Sequence, residues 1–204
     1  MEVKVMSATE SPIDVISLAA GTSYNKDNVS LARVKSCIKH EHTSILEHAT
    51  ISFRIDGISR ACSHQLVRHR LASFVQQSQR YCKYTNLSET DDWYVVPQAI
   101  AENRIRREIF ARKMKSDAQT YEFLLEDGVN PEDARYALPE AMKTSITMTM
   151  NAREFFSFLN LRLSSHAQAE IRELAGKMLE VAAAHSEQWA QLMEIYNQNQ
   201  HIIN

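Results

Sequence analysis

The chain has 204 residues, of which 44% are hydrophobic and 24% charged, a composition typical of a globular protein with one sizeable core. Four glycines and four prolines exclude collagen-like and linker-rich architectures. The formal net charge of −2 argues against a protein that binds nucleic acid through overall positive charge.

Positive charge is nevertheless concentrated in one stretch of the chain. Residues 57–88 contain no Asp or Glu, and they hold Arg60, Arg68, Arg70, Arg80 and Lys83. Cations that lack acidic neighbours favour an anionic ligand, so this stretch predicts an anion-binding site.

The apolar runs, the first residues and the cysteines of the sequence indicate the cellular compartment. The sequence contains no run of about 18 apolar residues that would predict a membrane span, and its first residues do not resemble a signal peptide. Cys37, Cys62 and Cys82 form neither a CxxC pair nor an even disulfide framework, which favours the cytoplasm. Each cysteine is more simply explained as a small buried side chain than as a catalytic thiol.

In chain order, the first third of the sequence predicts two strands and three helices. Ile51, Phe53 and Ile55 alternate with polar residues, and Gly57 is expected to end that strand. The predicted elements are a strand at Val3 and Val5, a helix that Ser11 caps before Pro12, a helix over 28–40, a strand over 49–56 and a helix over 58–69.

The rest of the chain predicts mostly helices. Its one strand alternates Ile146, Met148 and Met150 with polar residues. The predicted elements are a charged helix over 97–126, a short helix from Asn130 that Pro139 limits, the strand over 144–150, a helix from the cap Asn151 to Arg162, and a final helix over 168–197. Since no linker divides the chain, we expect a mixed α/β (α+β) fold in a single domain over residues 1–204.

The densest group of polar side chains lies within residues 68–81. Three guanidinium groups, two serine hydroxyls and several carboxamides occur there, and guanidinium groups bind phosphate in a bidentate manner. A solvated helix end is the alternative interpretation. Neither GxGxxG nor GxxxxGK[ST] occurs, so the fingerprints of dinucleotide-binding and P-loop proteins are missing.

A second polar group lies within residues 40–48. Three histidines and two glutamates occur in these nine residues, which is typical of some metal sites. The spacing is not HExxH and no cysteine pair supports it, so we favour polar or capping roles and predict no metal.

Several motifs together resemble the flavin-dependent thymidylate synthase family. The triplet Arg68-His69-Arg70, followed after seven residues by Ser78, reproduces the family's RHRx7S signature. Further similar motifs follow in the family's order, over roughly residues 40–195. They are Glu47-His48, Gln65, Ser78-Gln79-Arg80-Tyr81, the run 134–139, Asn151-Ala152-Arg153, the run 158–162 and Ser165-His166-Ala167-Gln168.

The resemblance implies a fold and a reaction. The implied fold has a central β-sheet flanked by long helices, and the implied assembly is a homotetramer with active sites at subunit contacts. Each site would hold FAD and dUMP, and dTMP would be made with 5,10-methylenetetrahydrofolate as carbon donor and NADPH as reductant. In this family no enzyme cysteine need attack the uracil, and neither Cys62 nor Cys82 occupies a known nucleophile position.

The resemblance also implies roles for individual residues. Arg162 matches the arginine that contacts the uracil and favours its ionised form, and we expect it to be catalytic. The residues that match flavin-binding positions are His42, Ser44, Arg68, His69, Arg70, Asn151, Arg153 and Ser157. Those that match or lie near the substrate positions are Gln65, Arg68, Gln76, Ser78, Arg80, Arg135, Arg162 and His166.

Three positions depart from the family pattern. Val75 and Gln76 stand where the family often has Asn and Glu, and Ser157 is shorter than the usual side chain. Val75 and Gln76 motivate the alternative of a family member that binds flavin without turnover. A non-catalytic module that binds nucleotides or single-stranded nucleic acid is another alternative, with Phe74, Tyr81 and Tyr84 as stacking surfaces.

Overall fold

The computed structural model of this protein describes residues 1–200. Within this range, the alternating apolar spacing produces strands and the helical apolar spacing produces helices. The strands in this range are β1 (Glu2–Ala8), β2 (Thr50–Ser59), β3 (Ala72–Gln76) and β4 (Lys143–Asn151). The α-helices are α1 (Pro12–Thr22), α2 (Leu31–Lys39), α3 (Arg60–Leu66), α4 (Gln98–Ala101), α5 (Arg104–Glu126), α6 (Pro131–Ala134), α7 (Ala152–Leu163), α8 (Ala169–His185) and α9 (Glu187–Gln198). Short 3-10 helices occupy Thr43–His48, Leu87–Glu89 and Arg135–Ala137. The predicted mixed α/β fold is confirmed.

The four strands form one sheet in the order β1-β2-β4-β3. The two strands with the clearest alternation, β2 and β4, are its central pair, and the apolar residues of their alternating runs are buried. The hydroxyls of Ser52 and Thr149 make a hydrogen bond of 2.8 Å. The edge strand β3 was not predicted, because none of its five residues is buried and Val75 is largely exposed.

Gly57 does not end β2, contrary to the prediction. The strand continues to Ser59, and Gly57 adopts a φ of 76° within it. Glycine takes a positive φ at little steric cost, so it distorts the strand without terminating it. The following helix, α3, is therefore shorter than predicted and ends at Leu66. The predicted helix over 58–69 places Gln65 and Arg68, three residues apart, on one face. This expectation is wrong, because Arg68 lies beyond the end of α3.

The chain divides into two compact units. The first comprises Met1–Ile55, Val67–Phe74 and the residues from Thr147 on, and the second comprises Asp56–Leu66 and Val75–Ile146. The first unit contains α1, α2, α7, α8 and α9, and the second contains α3, α4, α5 and α6. A single domain over the whole chain stays a prediction.

Phenylalanines of α7 form the centre of the first unit. Phe155 contacts Phe53 of β2 at 5.3 Å between ring centroids and stacks on Phe158 at 6.4 Å. Phe156 contacts Tyr196 of α9 at 5.0 Å. All five rings are fully or almost fully buried, so the start of α7 is anchored by a large apolar area.

The predicted final helix is two helices, α8 and α9. Ser186 separates them in an extended conformation, and its Oγ accepts a hydrogen bond of 3.2 Å from the backbone N–H of Trp189. A serine that caps a new helix competes with helix continuation, which explains the break. Helical spacing over 168–197 predicts one apolar face, and every residue of that face is buried: Ile171, Leu174, Ala175, Met178, Ala182, Trp189, Leu192 and Tyr196.

The predicted charged helix over 97–126 is also interrupted. Asn103 begins α5 by accepting a hydrogen bond from the backbone N–H of Arg106. The i,i+4 spacing of Arg104 and Glu108 predicts an ion pair, which forms at 2.8 Å. The same spacing predicts a pair of Glu102 with Arg106, and this prediction is wrong. Glu102 precedes the new helix, and Arg106 donates to the carbonyl of Ala99 instead. Among the described residues, no helix is both long and apolar enough to cross a membrane.

The aromatic cluster gives a test of packing. Replacing Phe155 by Ala should lower the free energy of unfolding by about 3–5 kcal/mol, because it removes a fully buried ring and leaves a cavity. Urea unfolding of the purified chain measures this value. Phe123→Ala is the matched control, since Phe123 is 64% exposed and its loss should cost under about 0.5 kcal/mol. Equal losses in the two variants would contradict the described core.

Candidate active site

The turn after α3 carries the triplet Arg68-His69-Arg70, and its members differ in burial. Arg68 and Arg70 are exposed, whereas His69 is only 7% exposed. The His69 ring packs edge-on against Phe158 of α7, with 4.9 Å between the ring centroids. The turn therefore buries its imidazole against α7 and leaves its two guanidinium groups exposed.

His69 is hydrogen-bonded at both ring nitrogens. Nε of Arg162, near the end of α7, donates to its Nε2 at 3.0 Å. Its Nδ1 lies 3.3 Å from Oε1 of Glu154, in the first turn of the same helix. His69 therefore connects the two ends of α7.

The protonation state of His69 follows from these contacts. An arginine has only donors, so Nε2 must be the unprotonated nitrogen and the ring proton lies on Nδ1. Burial, together with the positive charge of Arg162, lowers the pKa of His69 from 6.5 to about 4. The contact with Glu154 is thus a hydrogen bond from a neutral imidazole and not an ion pair. Burial also raises the pKa of Glu154.

The N-terminus of α7 places further predicted site residues. Asn151 caps the helix, because its side-chain oxygen accepts from the backbone N–H of Glu154 at 2.9 Å. Arg153, in the first turn, makes an ion pair of 2.5 Å with Glu47. Glu47 belongs to the same 3-10 helix, Thr43–His48, as the exposed Ser44, and His42 directly precedes that helix.

A cavity of about 480 Å³ lies at the C-terminal end of α7. Its lining includes three predicted site residues, Ser157, Arg162 and His166. Arg162 therefore both lines a cavity and contacts the buried imidazole of the triplet. The lining is predominantly apolar, and its polar groups are hydroxyls, a carboxamide, an imidazole and a guanidinium, a set that suits a polar heterocycle.

In the second unit, two hydrogen bonds hold the carboxamide of Gln76, at the end of β3. Its Nε2 donates to the hydroxyls of Ser63 at 2.9 Å and of Thr144 at 3.2 Å. A glutamate, the residue often found in the family at this position, has no such donor. The departure from the family pattern is thus accommodated by two local hydrogen bonds.

Other predicted substrate residues of the second unit have acidic or backbone partners. The hydroxyl of Ser78 accepts from the backbone N–H of Arg80 at 3.1 Å. Arg80 is exposed and makes an ion pair of 2.9 Å with Glu132. The Nε of Arg135 donates to the backbone carbonyl of Glu132 at 3.0 Å. Glu132 therefore accepts hydrogen bonds from both arginines, from Arg80 through its carboxylate and from Arg135 through its backbone carbonyl.

A cavity of about 380 Å³ in the second unit is lined by Arg60, His64, Arg135 and Glu140, among others. His64 lies 3.4 Å from Glu140. Burial lowers the pKa of Arg60, and the charge of Arg135 acts in the same direction. Two guanidinium groups that line one cavity favour an anion there.

The structure thus collects the predicted residues into two groups. In the first unit, a hydrogen bond joins His69 to Arg162, and Arg162 lines the same cavity as Ser157 and His166. In the second unit, Arg135 lines a cavity, Glu132 links it to Arg80, and Gln65 is a half-buried residue of α3. Within the described range, no cluster of three or more His, Cys, Asp or Glu side chains could hold a metal ion.

Sequence reasoning missed Glu154 and Arg60. Glu154 stands three residues after the cap Asn151, which is the spacing of a capping box, so its place in the first turn of α7 could be predicted from the sequence. Its contact with His69 could not be predicted, because 85 residues separate the two. Arg60 was counted as a cation, but nothing in the sequence indicated a cavity beside it.

Comparison with known proteins identifies close relatives of this chain. The family model described as "Thymidylate synthase complementing protein" matches residues 4–186. A flavin-dependent thymidylate synthase of Pyrococcus abyssi (strain GE5 / Orsay) is 40% identical over 209 residues, which are 94% of this chain and 85% of the relative. The same enzyme of Thermococcus kodakarensis (strain ATCC BAA-918 / JCM 12380 / KOD1) is 42% identical over 211 residues, 94% and 84% of the two chains.

Among solved structures, a Helicobacter pylori protein described as flavin dependent thymidylate synthase ThyX, complexed with FAD and dUMP, is similar to this chain. The TM-score is 0.74 and the sequence identity 26%, and the match covers 94% of this chain and 99% of that one.

The depressed pKa of His69 predicts a pH-dependent stability. Between its ordinary value of 6.5 and about 4, the unfolded chain binds a proton at His69 that the folded chain does not. The free energy of unfolding therefore falls as the pH falls through this window. Between pH 7.5 and pH 5, the free energy of unfolding of the wild type should fall by roughly 2 kcal/mol more than that of His69→Gln, which has no titrating group at position 69.

Urea unfolding of both proteins at the two pH values measures this difference. The raised pKa of Glu154 acts in the opposite direction, since its stabilising effect is lost as the pH rises, but it is present in both proteins and largely cancels. Parallel pH dependences of the two proteins would contradict a buried neutral His69.

Proposed function

Because this chain belongs to the flavin-dependent thymidylate synthase family, we propose that it converts dUMP to dTMP with bound FAD. 5,10-Methylenetetrahydrofolate supplies the carbon, and NADPH supplies the reducing equivalents. The single structural observation that carries the proposal is the hydrogen bond from Arg162 to His69, because it joins the arginine that lines the first unit's cavity to the family's RHR triplet.

The donors of the first unit fit FAD. Arg68 and Arg70 expose their guanidinium groups in the turn, and the side chain of Arg153 is 47% exposed at the N-terminus of α7. Guanidinium groups and a helix N-terminus suit the diphosphate of such a cofactor. The residues proposed to hold FAD are His42, Ser44, Arg68, His69, Arg70, Asn151, Arg153 and Ser157.

The second unit offers most of the donors proposed for dUMP. Arg135 lines a cavity whose arginines favour an anion, which suits the nucleotide's phosphate. Ser78 and Arg80 supply further donors, whereas Gln76 offers a carboxamide already anchored through its nitrogen. The residues proposed to bind dUMP are Gln65, Arg68, Gln76, Ser78, Arg80, Arg135, Arg162 and His166.

Arg162 is the proposed catalytic residue. Its guanidinium would lie at the uracil oxygens and stabilise the negative charge that develops on the ring, as donors of an oxyanion hole do. The Nε of Arg162 donates a hydrogen bond to His69, so the buried imidazole fixes the plane of the guanidinium. FAD, when bound, supplies the redox chemistry, and the protein binds and orients the reactants.

Assembly and location complete the proposal. We expect a homotetramer with sites at subunit interfaces, which is supported by large apolar side chains left exposed in the second unit, notably Val75, Tyr81 and Tyr136. Action in the cytoplasm is supported by Cys37, Cys62 and Cys82, none of which forms a disulfide bond.

The reaction is tested by omission. Full-length protein with dUMP, methylenetetrahydrofolate, FAD and NADPH should form dTMP, and leaving out any one component should abolish it once bound flavin has been stripped. Product formation is followed by chromatography, and flavin by its absorbance. A colourless protein that forms no dTMP but binds oligonucleotides with a steep salt dependence would instead support the nucleic-acid-binding alternative.

Arg162→Ala should lower kcat/KM for dUMP by at least about 100-fold, because it removes the group proposed to stabilise charge in the transition state. Flavin content should remain close to that of the wild type. Steady-state kinetics and the flavin-to-protein ratio measure the two effects. Arg112→Ala, which removes an exposed arginine of α5, is the control. Wild-type turnover in Arg162→Ala would overturn the assignment.

A further inference from the structure

We propose that Glu154 is a positioning residue that acts through His69 to hold the guanidinium of Arg162 in place. The proposal rests on the function given above for Arg162. The carboxylate of Glu154 contacts His69, the residue that in turn contacts the catalytic arginine. The chain of contacts runs Arg162, His69, Glu154, all within the first unit.

The backbone and the surroundings of Glu154 restrict its side chain. Its backbone N–H is held by the cap residue Asn151 in the first turn of α7. Its side chain is 11% exposed and that of His69 is 6% exposed, so their contact is shielded from water. A carboxylate is costly to bury without a hydrogen-bond donor, and Nδ1 of His69 is the donor that the structure provides.

The direction of the hydrogen bonds is fully determined. Arg162 can only donate, so Nε2 of His69 accepts, and the ring's single proton lies on Nδ1. That proton is donated to Oε1 of Glu154. A carboxylate at this place therefore favours the one tautomer of His69 that can accept from Arg162. Histidines that bind metals are oriented on the same physical basis, by a carboxylate that accepts the proton of the ring nitrogen that does not bind the metal.

The packing of His69 explains why Glu154 is needed in addition to Arg162. Phe158 contacts the imidazole edge-on and limits its tilt, but a ring contact carries no preference between the two nitrogens. Arg162 favours the tautomer with the proton on Nδ1, and the hydrogen bond to Glu154 adds a second preference for the same tautomer. Without it, the tautomer with the proton on Nε2 becomes accessible, and this tautomer cannot accept from Arg162.

Loss of Glu154 should consequently affect turnover more than binding. A guanidinium that is displaced by a fraction of an ångström still attracts an anionic nucleotide but stabilises the transition state less. We expect Glu154→Ala to lower kcat at least about tenfold, with a much smaller change in KM for dUMP. Glu154→Gln should retain most of kcat, because its amide oxygen still accepts from Nδ1.

The experiment combines kinetics with a direct observation of the tautomer. Full-length wild type, Glu154→Ala and Glu154→Gln, labelled with ¹⁵N-histidine, are compared by two-bond ¹H–¹⁵N correlation spectra at pH 7.5, and His69→Gln assigns the His69 signals. The wild type and Glu154→Gln should show His69 protonated at Nδ1, whereas Glu154→Ala should show a mixture of tautomers. Glu187→Ala is the matched control, since Glu187 is an exposed first-turn carboxylate of α9.

Two results would overturn the proposal: His69 protonated at Nε2 in the wild type, or a folded Glu154→Ala protein with the wild type's tautomer and kcat. A Glu154→Gln protein as impaired as Glu154→Ala would also contradict it, because the hydrogen bond would then not suffice. Failure of the proposed function is recognised separately, since it would leave the wild type without dTMP formation while the tautomer spectra still report on Glu154.

Discussion

The hydrogen bond from Nε of Arg162 to Nε2 of His69 is the interaction on which the proposed active site depends. Together with the hydrogen bond to Glu154, it favours one tautomer of a buried histidine, and it orients a guanidinium at the cavity of the first unit. The two ends of α7 are joined by one ring. Because this ring is buried and neutral, the network is held by directed hydrogen bonds and not by an ion pair.

The aromatic core and this polar network share one helix. Phe155, Phe156 and Phe158 anchor α7 on its apolar side, and Phe158 also contacts His69. Asn151 caps the helix and holds the backbone of Glu154. The position of the site residues therefore follows from the packing of α7, and a guanidinium carried by a packed helix loses little additional freedom when it binds a ligand.

Local signals predicted much of the fold and less of the site. Ile51, Phe53 and Ile55 alternate clearly enough to place β2, and the apolar face of α8 and α9 was correct in every residue. The break at Ser186 was missed because a continuous apolar face is compatible with one helix or two. β3 was missed because an edge strand without buried residues has no apolar pattern. The motif residues were recognised by resemblance, but their contacts were not.

By itself, the sequence determined the alternating strands, the amphipathic helices, the concentration of cations without nearby acids, and the family to which the motifs belong. These properties depend on spacing along the chain, which the order of residues records directly. Only the tertiary structure decided that His69 is buried, that Arg162 and Glu154 meet it from opposite ends of α7, and that Arg60 lies beside Arg135 at a cavity. Such contacts join residues far apart in the chain, and the energy that selects them comes from packing and desolvation, which no local pattern records.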